Sequence, residues 1–145
     1  MIKNQRQYAI TKKKIGEFLQ ALEAFKEQKI AIHPLLRQAQ EDGMKSQLAD
    51  FKAQVEEYEQ LKSGNYQLKV GSFQDISIIL IRARIALGLT QKDLAKRLGL
   101  DEQQIQRYED TEYASASFAR IVAVAEALGL EIEEEATVTS ISASV

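Results

Sequence analysis

The sequence has no cysteine, no tryptophan, one histidine and one proline. Without cysteine there is no disulfide, no thiolate nucleophile and no thiolate metal site. One histidine alone leaves no ligand set for zinc, so neither a metal nor a cofactor is expected. Excess positive charge is also lacking: 19 Lys and Arg stand against 21 Asp and Glu, a formal charge of -2. Such a chain cannot coat a polyanion with bulk charge, and any electrostatic partner must be met by a local patch. Long apolar runs are missing as well. The most apolar stretch, Ile76 to Ile81, contains Ser77 and ends at Arg82, far short of the roughly 20 residues that span a bilayer. The start, Met1-Ile2-Lys3-Asn4-Gln5-Arg6, is basic but is not followed by the unbroken apolar stretch of a signal peptide. These absences point to a cytoplasmic protein with no membrane partner. Catalysis has little support, because no Gly-rich phosphate loop occurs and His33, beside Pro34, has no serine or acid assignable to it by spacing. Glu41-Asp42 and Glu56-Glu57 read as exposed faces, and no enzyme is expected.

What is plentiful is Ala, Gln, Glu, Lys and Leu, a balance that favours helices. Charge is segregated along the chain. Residues 1–14 carry Lys3, Arg6, Lys12, Lys13 and Lys14 with no acid, residues 72–120 hold seven bases and seven acids, and no base follows Arg120. Lys12, Lys13 and Lys14 read as a solvated first helical turn rather than as a DNA arm. Thr11 is a plausible N-cap for a helix over about 12–30, with Ile15, Phe18, Leu22 and Phe25 on one stripe. After His33-Pro34 a second helix is expected over about 35–62, with Met44, Leu48, Phe51, Val55 and Tyr58 as a heptad seam. The expected division is a helical hairpin at 1–63, a linker at 64–71, a second domain of short helices at 72–130 and an acidic, Ser/Thr-rich tail at 131–145, whose residues 137–145 are read as disordered or as an added strand. A lone hairpin cannot bury both stripes, so a second copy, the C-terminal domain or another protein is expected to cover them, self-association being preferred.

From Ile76 to Leu130 the pattern is one of short helices and Gly-containing turns. Ile78, Ile81 and Ile85 line the first of them, and Thr90 caps the next, Gln91 to Leu98. Gly99 ends it where a left-handed residue is cheapest. Asp101 opens a third helix to about Glu109, and a further helix over about 117–128 is expected to bury Phe118, Ile121, Val122, Ala125 and Leu128. Two helices crossing steeply through a short turn need a small residue at the crossing, a glycine at the turn and a branched residue facing back. Ala95, Gly99 and Ile105 supply these in order, so the stretch reads as a helix-turn-helix and the fold class as all-α.

The stretch Arg84-Ile-Ala-Leu-Gly-Leu-Thr-Gln-Lys-Asp-Leu-Ala-Lys-Arg-Leu-Gly-Leu, followed by Ile105-Gln-Arg-Tyr-Glu109, resembles the Xre/Cro family of phage-repressor-type DNA-binding domains. The resemblance implies a partly buried structural ion pair between Arg84 and Glu109. It also implies that Glu102, Gln103, Gln104, Gln106 and Arg107 face base edges, since Gln suits adenine, Arg guanine and Glu the amine of cytosine. Gln91 occupies the family's phosphate-binding slot, and Thr90, Lys92, Lys96, Arg97 and Arg82 are further phosphate candidates. Where the family commonly has Asn-Gly after the glutamate, this chain has Asp110-Thr111, and an Ala-Ser run at 114–117 replaces the usual proline, so a longer or rearranged turn is expected. The N-terminal phrase resembles the start of some bacterial Xre-type regulators and antitoxin-like proteins. The function implied is a double-stranded-DNA-binding transcriptional regulator, a homodimer through the N-terminal hairpin. The rival expectation is an adapter that clasps a toxin-like protein partner with that hairpin.

Overall fold

The computed structural model describes residues 1–29, 31–64 and 66–138, and among these every regular element is helical. Two long helices come first, α1 (Gln5–Glu27) and α2 (Pro34–Lys62). A single 3-10 turn at Phe73–Asp75 leads into α3 (Ile76–Ala86), then α4 (Gln91–Leu98), α5 (Glu102–Asp110) and α6 (Phe118–Ala127). Residues 139–145, most of the segment expected to be disordered or to add a strand, lie outside the described residues.

The first helix starts earlier than the apolar stripe suggested. Asn4, not Thr11, is its N-cap, with the side-chain oxygen accepting from Gln7 N at 2.9 Å. Asn is among the best N-caps because its short side chain satisfies a donor that the helix leaves unpaired. Thr11 sits about two turns inside the helix and returns its hydroxyl to Gln7 O. At the other end the helix stops at Glu27, and Arg37 closes the hairpin by donating to the carbonyls of Phe25, Lys26 and Gln28 at 2.7 to 3.1 Å. A cation here meets the negative end of the α1 dipole as well as its orphan acceptors. His33 acts as the cap of α2, its Nδ1 accepting from Leu35 N.

The heptad seam of α2 is used within the chain. Leu48, Val55 and Tyr58 are buried, Phe51 packs edge-on against Phe18 at 5.4 Å between ring centres, and Tyr8 stacks on Tyr58 at 5.1 Å. This corrects the preference for self-association along that seam: α1 covers it along most of its length, and the helix-turn-helix half covers its end. Ile2, Val55, Tyr58 and Leu61 belong to the same apolar cluster as Leu80, Ile81, Ile85, Leu94 and Ile105, and Tyr66 and Leu68 of the 64–71 segment pack against it. Hairpin and helix-turn-helix therefore share one core.

Within the second half, Gly99 takes φ 66°, the left-handed conformation that lets Leu100 N reach Ala95 O at 2.9 Å and ends α4. Leu94, Ala95 and Ile105 are buried at the crossing of α4 with α5. The last helix differs from its expected facing. Val124 and Leu128 are buried, but Phe118 is 65% and Val122 40% exposed. The cause is register: with Val124 in the core, residues two and six positions earlier on a 100° wheel fall on or near the outer side. Phe118 stacks instead on Phe73 at 6.3 Å.

Candidate nucleic-acid interface

The site is built on α4, α5 and the buried polar cluster beneath them. Arg84 on α3 donates through Nε and Nη2 to the two carboxylate oxygens of Glu109 at 2.5 and 2.8 Å. The two side chains are 3% and 0% exposed. A fork-to-fork pair of this kind is short and directional. Its remaining hydrogen-bonding capacity is filled locally: Arg84 Nη1 donates to Leu89 O at 2.8 Å, and Gln91 Nε2 donates to Glu109 Oε2 at 2.7 Å. The pair thus fixes α3, the start of α4 and the end of α5 relative to one another.

The beginning of the chain completes this cluster. Arg84 Nη2 also donates to Lys3 O at 2.5 Å, Lys3 Nζ donates to Glu109 O at 2.7 Å, and Asn4 Nδ2 donates to Gln91 Oε1 at 3.2 Å. Ile2 is buried in the common core. Sequence reasoning missed Lys3 and Asn4 as part of the site. The available signal was Asn4 itself, a better cap than Thr11, two residues after the apolar Ile2.

This arrangement changes the part assigned to Gln91. Its side chain is buried, 4% exposed, with the amide held between Glu109 and Asn4. In this structure the side chain is a buried tie between the start of α1 and the end of α5. Thr90 is likewise engaged, because its hydroxyl donates to Asp93 Oδ2 at 2.7 Å and accepts from Asp93 N at 3.0 Å in a capping box. The bond from the Thr90 hydroxyl, joined by one from Thr90 N to the same oxygen at 2.9 Å, holds the Asp93 carboxyl below its ordinary range. Arg82 is turned to the hairpin, with Nη2 at 2.8 Å and Nε at 2.9 Å from Glu57 Oε1 and its guanidinium over the Tyr66 ring. Arg97 donates to Ala127 O at the end of α6 at 2.9 Å. Of the phosphate candidates, Lys92 and Lys96 are exposed and make no side-chain hydrogen bond or ion pair among the described residues, though the Lys96 charge helps to lower the Asp93 carboxyl.

The α5 residues present a different picture. Ile105 and Glu109 anchor the helix from below, each 0% exposed. Glu102, Gln103, Gln104 and Arg107 are exposed, and Gln106 is half-buried. Gln104 Nε2 donates to Tyr108 Oη at 3.1 Å and Gln106 Nε2 to Glu102 Oε1 at 3.4 Å, exposed contacts that cost little to exchange for a base edge. Amide, guanidinium and carboxylate groups side by side on one short helix can donate to and accept from bases in the major groove. After α5, which runs to Asp110, Glu112 and Tyr113 follow at φ 51° and 61°.

Among the described residues no cluster of His, Asp and Glu has the geometry to hold a metal ion, and no helix is long and apolar enough to cross a membrane. Residues 80–134 match a family model described as helix-turn-helix, a match that leaves both hairpin helices outside it. No curated protein and no solved structure matches the chain.

Proposed function

Residues 80–134 form a helix-turn-helix domain of the Xre type, and from that premise we propose that the chain is a sequence-specific regulator of transcription, a repressor, that reads double-stranded DNA with α5. The observation that carries this reading is the free outer edge of α5, where Glu102, Gln103, Gln104 and Arg107 stand exposed over a rigid buried base of Ile105 and Glu109. With α5 in the major groove, α4 crosses the sugar-phosphate backbone. Lys92, Lys96 and the first backbone N–H groups of α4 are the phosphate contacts, and the cytoplasm is where they act.

Selection of bound duplexes from a random pool tests the reading. A defined motif, with affinity falling steeply as salt rises, is the expected result. No salt-sensitive binding to any duplex would overturn it. Replacing Gln103 and Arg107 by Ala is expected to relax preference at the bases they meet, by about 1–3 kcal/mol for each bidentate pair removed. Lys92→Ala is expected to weaken binding to all sequences alike.

The regulator is a homodimer that addresses two half-sites about 34 Å apart or a multiple of it. With the α2 seam covered, the surface suited to a second copy is the stacked Phe73–Phe118 ridge. Apolar grooves of about 360 and 330 Å³ flank it on its two sides, so a two-fold-related copy can seat ridge in groove. Sedimentation of Phe118→Asp is expected to show a monomer, whereas Leu36→Asp on the hairpin leaves the dimer intact; the reverse result would place the contact on the hairpin. A hairpin that clasps a toxin-like partner finds less support, since its seam lies inside the chain.

A further inference from the structure

The helix-turn-helix half carries as many acids as bases between residues 72 and 120, so its own charge supplies no net attraction for a polyanion. The most basic acid-free run is residues 1–14, with five Lys and Arg. Most of it is engaged within the protein. Lys12 pairs with Glu59, Lys13 with Glu17, Lys14 lies over the Phe51 ring, and Lys3 donates to Glu109 O. Arg6 is the exception: it is exposed and has no hydrogen bond, ion pair or ring contact among the described residues.

Its position is fixed by the latch just before it. Lys3 O bound to Arg84, Asn4 bound to Gln91 and the buried Ile2 pin the first turn of α1 against the helix-turn-helix. Arg6 therefore lies beside α5. It lines one cavity of about 310 Å³ with Thr90, Glu102 and Gln106, and a second of about 270 Å³ with Gln106 and Asp110. The carboxylates of Glu102 and Asp110 border the same cavities without pairing to it. A guanidinium held between the start of α4 and the flank of α5, and not neutralised by either acid, is placed where the backbone of a duplex crosses α4.

We infer that Arg6 binds a DNA phosphate, so that the first turn of α1, outside the matched domain, is part of the DNA-binding face. The inference rests on the DNA-binding reading above. Its consequence is that Arg6 offsets the repulsion a phosphate meets from Glu102 and Asp110, which the evenly charged domain cannot do alone.

Anisotropy titrations over a series of KCl concentrations test this with a duplex selected from the random pool and with an unrelated duplex. The proteins are the full chain, Arg6→Ala, Arg6→Lys and, as control, Lys52→Ala on α2, an exposed cation that lines neither cavity. Arg6→Ala is expected to weaken binding to both duplexes about five- to tenfold and to lower the slope of log K against log salt by about one. Arg6→Lys restores most of both, because a phosphate needs a charge more than a fork, and Lys52→Ala changes neither. Unfolding curves check that the exposed substitutions leave the fold intact. Wild-type binding with unchanged affinity and slope in Arg6→Ala overturns the inference and leaves the function standing. A changed sequence preference at constant slope, or failure of Lys to restore binding, overturns the phosphate assignment. Absence of salt-sensitive binding by the wild type removes both the function and this extension of it.

Discussion

Tyr113 carries its hydroxyl into the core with no hydrogen-bond partner among the described residues. Burial, reinforced by the nearby Glu109 carboxylate, pushes the phenol well above its ordinary range. An unpaired buried polar group costs about 1–3 kcal/mol, so Tyr113→Phe is expected to be neutral or to stabilise by about 1 kcal/mol, seen as a rise of about 3 °C in Tm. A fall of similar size would mean that the hydroxyl has a partner after all. The neighbouring Glu112 holds φ at 51°, where a side chain is strained and glycine is not. Glu112→Gly is expected to gain a few tenths of a kcal/mol or more in urea unfolding. The opposite holds at Glu109. Removing its carboxylate strands a buried guanidinium, and Glu109→Ala is expected to lose about 3–5 kcal/mol.

Helix ends decide which elements could be foreseen. Thr90 and Gly99 stand where caps were anticipated, and α4, α5 and α6 begin and end within a residue or two of expectation. In the first helix the apolar stripe misleads. Ile15 to Phe25 marks the part of α1 that faces α2, whereas its opening turns are held by Asn4 and by contacts to residues more than eighty positions away. No local period encodes such contacts. For the same reason Gln91, polar and at the mouth of α4, reads as a surface residue although the Glu109 carboxylate lies beneath it. The α5 residues were named through the family resemblance rather than through a local period, and Glu102, Gln103, Gln104 and Arg107 are exposed in the structure. The Thr90–Asp93 box also has a pH signature. Asp93 titrates below its ordinary 3.8 in the folded protein, so its contribution is complete above that value and is lost as pH falls through the depressed one. Melting wild type and Asp93→Asn between about pH 5 and 2 is expected to show a gap in Tm that closes with acid; a constant gap would assign the effect to helix capping alone.

At the scale of the whole molecule, the sequence suggested two bodies joined by a linker, because charge and turn formers change near Lys62-Ser63-Gly64. The shared core joins what composition separates, since Tyr58 and Leu61 of α2 reach the cluster around Leu80 and Leu94. One cooperative unfolding transition is therefore expected, with fluorescence and circular dichroism coincident. Ile2→Ala is expected to lower it by about 2–4 kcal/mol and to move hairpin and helix-turn-helix signals together; two separated transitions would show independent halves.

The latch at Lys3 and Asn4 has a practical side. Any polypeptide joined ahead of Met1, whether an affinity handle or a natural extension, leaves the fold within two residues of the Lys3–Glu109 hydrogen bond, close to the groove-reading helix. A fusion at this end is therefore expected to crowd the groove-reading helix, and binding assays are better made with Met1 free.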